Sequence, residues 1–270
     1  MMFKFRLIKL FPIILLLGIQ INMVYGQVSP PGLGKAKTAS WSVLGLRRKL
    51  DSAGTKEALT YIGLGTKSTP EDSNPFHKQA IWVVNHEIYH KFAKNQQYSY
   101  ALSYRRQNVY DAAAPYHNEG VEQEFRLYGR YAYTFAFGSR WKWKNTLRQE
   151  LRKFFTADFQ KAEENFQLRT RLKSQVNFKI SDKNKQELAL SAEGLFAISK
   201  MYEPHSAWSS FGYKETRLGF YYMTDIPKTP LRLDLGYMND LIKGYDKVDF
   251  GVHYLAVDLI WNLPYKKAKH

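Results

Sequence analysis

From Phe166 to Ile180 the even positions read Phe, Leu, Thr, Leu, Ser, Val, Phe, Ile and the odd positions read Gln, Arg, Arg, Lys, Gln, Asn, Lys. A period of two sustained over this length describes an extended strand with one apolar face and one strongly charged face. The pattern recurs. From Val121 to Tyr133, Phe125, Leu127, Tyr131 and Tyr133 oppose Glu122, Glu124, Arg126 and Arg130. From Arg140 to Arg152, Trp141, Trp143, Leu147 and Leu151 oppose Arg140, Lys142, Lys144, Arg148, Glu150 and Arg152. Further strands are predicted at 37–50, 57–67, 79–92, 97–108, 185–199, 212–224, 230–240 and 247–262.

Length chooses between a soluble and a membrane sheet. Strands of soluble domains usually run about 5–6 residues, and these are much longer. A soluble sandwich would leave long arginine-rich faces outside, whereas a transmembrane barrel turns its apolar face to lipid and its charged face to the lumen. The expected fold is therefore all-β, a single antiparallel transmembrane β-barrel. Short links at 93–96, 138–139, 181–184 and 227–230 alternate with longer ones near 109–118, 156–163, 200–211 and 241–246, as short periplasmic turns and long external loops do in such barrels. The predicted strands number eleven, but single-chain bacterial barrels normally have an even count. With the short links in the periplasm the first strand would also start on the wrong side. Twelve strands are therefore expected, with ten as the alternative, and the missing element is sought before Ala80.

The domain plan follows. Residues 1–26 carry Lys4, Arg6 and Lys9, then an apolar run from Leu10 to Ile21, then Val24-Tyr25-Gly26. That is the plan of a secretory signal peptide cut before Gln27, and the run is shorter than the ~20 residues of a spanning helix. Residues 27–36 form a short N-terminal segment, 37–263 the barrel and 264–270 a basic tail. The net charge of +16 and the many aromatic residues could suit nucleic acid, but export argues against that partner. With no cysteine there is no disulfide framework, thiol nucleophile or iron–sulfur cluster. Trp41, Trp82, Trp141, Trp143, Tyr133, Tyr221, Tyr222, Tyr237 and Trp261 lie near predicted strand ends, as girdle aromatics at the headgroup level do.

The order Glu122-x-Glu124-x-Arg126, Leu147-Arg148-Gln149-Glu150-Leu151-Arg152, Arg169-Thr170-Arg171-Leu172, Glu193-Gly194-Leu195-Phe196, Arg217-Leu218-Gly219 and Gly236-Tyr237-Met238 resembles the uncharacterised barrels grouped as domain of unknown function 2490. The likeness covers residues 120–262 well and the first strands loosely. It implies a barrel in the outer membrane of Gram-negative bacteria of the Bacteroidetes type and carries over no catalytic residue. The chain closes Trp261-Asn262-Leu263-Pro264-Tyr265 and a basic tail, so the barrel-insertion machinery would have to read an internal signal.

The candidate site is the charged face. Glu122, Glu124, Arg126, Arg130, Arg148, Glu150, Arg152, Arg169, Arg171, Lys173, Glu187, Glu193, Glu215 and Arg217 are predicted to share a lumen charge network. Cross-strand Arg–carboxylate pairs would stiffen a narrow lumen, and surplus arginine would suit a narrow channel or binding site for small anionic solutes. No catalytic residue, metal or cofactor is expected; lipid is the expected surrounding. Three alternatives stand beside this reading: a purely structural or interaction barrel, an outer-membrane lipid hydrolase and a zinc metalloprotease. The hydrolase needs converging Ser, His and an orienting group, for which His253 near Tyr254 and Asp258, and His205 before Ser206, are the nearest material. The metalloprotease rests on His86-Glu87-x-x-His90, whose chemistry needs a helix. On a strand the two rings would stand about 13 Å apart, and Glu87 would face away from both.

Overall fold

The structure is a computed structural model and describes residues 28–111, 113–202, 205–243 and 250–265. The signal-peptide expectation for 1–26 and most of the basic tail fall outside these residues. Eleven long strands form the wall: β1 (Thr38–Lys49), β2 (Lys56–Lys67), β3 (Lys78–Ala93), β4 (Gln96–Tyr110), β5 (Asn118–Phe137), β6 (Trp141–Phe155), β7 (Lys161–Ser181), β8 (Gln186–Met201), β10 (Gly212–Asp225), β11 (Leu231–Ile242) and β12 (Phe250–Leu263). Between β8 and β10 a two-residue strand, β9 (Ala207–Trp208), pairs only with the end of β8.

Neighbouring long strands pair antiparallel in chain order, and β8 pairs directly with β10. The barrel then closes between β12 and β1, which run parallel from Thr38↔His253 to Arg48↔Leu263. This corrects the expected twelve-strand antiparallel barrel: the wall has eleven strands and a mixed sheet. The reason is parity. In an up-and-down meander of odd count the first and last strands point the same way, so closure is possible only through one parallel pair. Among the described residues, β1 and β2 are the strands that precede β3, with no further one before Ala80.

The links sort by side as the sequence suggested. Residues 50–55, 94–95, 138–140, 182–185 and 226–230 turn at one end, and β2, β4, β6, β8 and β11 finish at the other, where 68–77 and 156–160 make the crossing. β1 therefore starts at the long-loop end. The chain reaches that end through the lumen: the Val28 N–H donates to Asp258 Oδ2 at 2.9 Å, Arg217 Nη1 donates to the Pro30 carbonyl at 2.8 Å, and the Leu33 N–H donates to the Tyr254 hydroxyl at 3.0 Å. Residues 28–36 thus run up inside the barrel. This is how an odd meander starts its first strand at the far mouth.

Side chains alternate about the wall. Leu44, Ile62, Leu102, Leu190 and Leu255 point outward and are each more than half exposed, while Glu150, Asp240 and Asp258 point inward and are fully buried. The interior has two unlike halves. Against β10–β12 and β1–β3, Leu33 packs with Trp41, Val43, Ile81, Met223 and Tyr254 in an apolar cluster. Trp41 and Tyr221 therefore belong to the interior rather than to an outer girdle, because both fall on the inward phase of their strands. Tyr221 lies flat against Gly236, where an added Cβ would stand 2.1 Å from its ring.

That contact predicts the effect of one methyl group. Gly236→Ala should destabilise the barrel by about 1–3 kcal/mol through overpacking, lowering the midpoint of thermal unfolding followed by circular dichroism.

Candidate functional site

The other half of the interior is ionic. On β5 the inward residues are Glu124, Arg126, Tyr128 and Arg130, and the register places Arg126 opposite Arg152 and Tyr128 opposite Glu150 of β6. β6 in turn sets Glu150 opposite Arg169 of β7, and β8 sets Glu193 opposite Arg217 of β10. Period two along each strand and pairing across strands thus assemble like and unlike charges in one layer.

Carboxylates act as the nodes. Glu124 receives Arg152 through two parallel bonds of 2.9 and 2.8 Å, with Arg126 at 2.6 Å and Arg105 at 3.6 Å. Glu150 is met by Arg148 at 2.6 Å and by Arg126 and Arg171 at 3.3 Å each. Arg171 also grips Glu193 through paired bonds of 3.0 and 2.6 Å. Arg217 joins Glu215 at 2.6 Å and Asp240 at 3.5 Å, and Arg169 approaches Glu215 at 3.8 Å. The lattice therefore runs from β4 to β11. Paired guanidinium–carboxylate bonds fix orientation as well as distance.

Four of the residues expected in that network stand apart. Arg130 pairs with Glu87 of β3 at 3.3 Å, and Glu87 also accepts from Ser99 and Tyr128. Lys173 contacts Ser29 of the threaded segment at 3.5 Å. Glu187, near the short-turn end, receives a long bond from Asn177, and Glu122 lies above the lattice at the long-loop mouth. Their inward phase was readable; their height along the barrel was not. Arg105, Arg232, Asp234, Asp240 and Asp258 belong to the charged interior and were missed. Arg232, Asp234 and Asp240 share one phase of β11, so the same alternation could have found them.

The other motifs resolve by face. His86-Glu87-Ile88-Tyr89-His90 lies on strand β3, with His86 outward against Thr60, His90 outward and stacked on Tyr98, and Glu87 inward. His253 faces outward to Tyr237, away from inward Tyr254 and Asp258. His205 is exposed on the link to β9.

Cavities in the lattice are small, 50 Å³ beside Arg148, Arg171 and Glu193, and 10 Å³ beside Glu193, Arg217 and Tyr221. A larger one of 310 Å³ opens at the long-loop mouth between residues 33–35, the 68–77 link and the ends of β2 and β4. The 68–77 link beside it folds around Asp72. Desolvation pushes the Asp72 carboxyl up, but the N–H groups of Asn74 and Thr69 and the side chains of His77 and Thr69 outweigh that and hold it well below the usual carboxylate range.

Fold and interior together define a class: a closed β-barrel that is apolar outside and ion-paired within. The chain belongs to the family described as Protein of unknown function (DUF2490), whose sequence profile matches residues 59–250. The match begins within β2, so the early strands β2–β4 fall inside it and not only the region from 120 onward. A search of curated proteins finds no match.

The lattice predicts a large effect for a nearly isosteric change. Glu150→Gln leaves Arg126, Arg148 and Arg171 around a neutral amide and should cost about 3–5 kcal/mol of stability, measurable as a shift in urea unfolding followed by tryptophan fluorescence.

Proposed function

We propose that this protein is a non-enzymatic outer-membrane β-barrel, exported on residues 1–26 and cut before Gln27, that works with its lumen sealed as a binding or scaffold module. The observation that carries the reading is the inverted alternation: leucines outside, Arg/Glu nodes inside. Two rows of outward aromatics support it. Near the long-loop end Trp82, Tyr104, Phe125 and Phe155 touch in series, and near the short-turn end Phe135 meets Trp143 and Trp141 lies between Phe137 and Phe178. Ten residues separate Phe125 from Phe135. At ~3.3 Å per residue and a tilt of ~40° that is about 25 Å along the barrel axis, the height of an apolar band between aromatic girdles.

The interior argues for a sealed barrel over a narrow channel. A conducting path needs continuous water, whereas this interior is divided between an apolar cluster, an ion-paired lattice and the segment 28–36. Space for a small anionic solute lies at the long-loop mouth. The lattice cavity of 50 Å³ has room for a few waters, each needing about 10–15 Å³.

The membrane reading is tested on the outer face. Leu172, half exposed, sits midway between Phe166 and Phe178 on β7. Leu172→Arg should cost about 2–4 kcal/mol in lipid, as for a cation at the midplane, and should deplete the protein from outer-membrane fractions. An unchanged unfolding midpoint in vesicles, or a folded wild-type protein recovered in the soluble fraction, would reject a lipid-facing belt.

A further inference from the structure

The mouth cavity has a chemistry of its own, and reading it deepens the proposal that the barrel is a binding module. Two ammonium groups flank one aromatic ring: Lys67 Nζ is 5.3 Å and Lys78 Nζ 4.8 Å from the centre of Tyr110. Lys67 donates to the Leu33 carbonyl at 2.8 Å, and Lys78 donates to the Tyr116 carbonyl. Among the described residues neither forms an ion pair with a carboxylate. Each therefore spends one N–H on a neutral acceptor and keeps others. Lys67 is largely buried, and two like charges are held around one ring with no ion pair to either among the described residues. Such an arrangement is costly unless a ligand brings negative charge.

Size and lining define the rest of that ligand. The cavity, 310 Å³, is within the range of small-molecule sites and too large to be filled by a single inorganic anion. Beyond the lysines it is lined by the amide of Gln107 and the carboxylates of Asp111 and Glu122, while Ser68 and Asn108, also in the lining, are engaged with backbone groups. The first three are partners for hydroxyl groups. Lys67 and Lys78 supply two positive charges, the complement of a phosphate dianion.

We propose that the mouth cavity binds a phosphorylated sugar, its phosphate held between Lys67 and Lys78 and its hydroxyls directed to Gln107 and Glu122. The same headgroup chemistry can arrive free in solution or on a glycolipid of the surrounding leaflet. In either case the site is reached from the long-loop side. The threaded segment contributes the Leu33 carbonyl that positions Lys67, so residues 33–35 are part of the site.

The test is calorimetric titration of the full detergent-solubilised protein with glucose 6-phosphate, glucose and inorganic phosphate. Glucose 6-phosphate should bind at one site per chain, inorganic phosphate at least tenfold more weakly, and glucose not measurably. Lys67→Gln with Lys78→Gln should weaken binding by at least tenfold. Lys78→Gln alone, which leaves the Lys67–Leu33 tie in place, should weaken it severalfold if the double variant fails to fold, folding being scored by heat-dependent gel mobility. Vesicles carrying a phosphorylated glycolipid separate the sources: competition with glucose 6-phosphate identifies a membrane-borne headgroup, and its absence a free sugar phosphate. Absence of saturable glucose 6-phosphate binding to folded wild-type protein, equal binding of glucose, or equal affinity in folded Lys78→Gln would overturn the proposal. Failure here is separable from failure of the sealed-barrel reading, because ion conductance through the same preparation bears on the lumen alone.

Discussion

The rest of the structure depends on the parallel pairing of β12 with β1. Every backbone N–H and C=O of a barrel wall must find a partner within the sheet, and in lipid an unpaired edge costs several kcal/mol per group. A meander of eleven strands meets that demand only by bringing its first and last strands together in the same direction, from Thr38↔His253 to Arg48↔Leu263. The first strand must then begin at the long-loop mouth. Residues 28–36 run up through the lumen to supply it, and the filling of the lumen follows from the closure.

The interior is organised around that threaded segment. Where it passes β10–β12 and β1–β3 the wall offers Trp41, Tyr254 and Met223, and Leu33 is buried among them. On the β4–β8 side, where it meets Lys173 through Ser29, the wall offers arginines whose charges are met by Glu124, Glu150 and Glu193. Buried ion pairs are weak devices for stability but demanding in geometry. Three arginines sharing Glu150 fix the relative heights of β5, β6 and β7. At the mouth the same segment completes the cavity beside Lys67 and Lys78.

Much of the wall was legible because alternation is local information. All eleven long strands were located, and period two set Glu87 on the opposite face from His86 and His90, which the structure resolves as inward for Glu87 and outward for the histidines. Parity and closure were not legible, since no local pattern states which strands meet at the seam, and the even-count rule pointed to a twelfth strand that the wall does not contain. Nor was the path of Pro30-Pro31-Gly32-Leu33-Gly34, which has no period and takes its conformation from Arg217, Tyr254 and Lys67 around it. Trp41 and Tyr221 looked like girdle residues by position along the chain; their phase places them inside. Within the charged face, phase gave direction but not height, so Glu122 and Glu187 were grouped with residues that they do not touch.

The central claim is that closure through β12 and β1 leaves a sealed lumen. Planar-bilayer recording of the purified wild-type protein tests it most directly. The account predicts no stable stepwise conductance after insertion has been verified by heat-dependent gel mobility of the same sample. Reproducible ohmic steps from the intact protein would contradict it, because they would require a continuous water path past residues 28–36 and the Glu150 lattice.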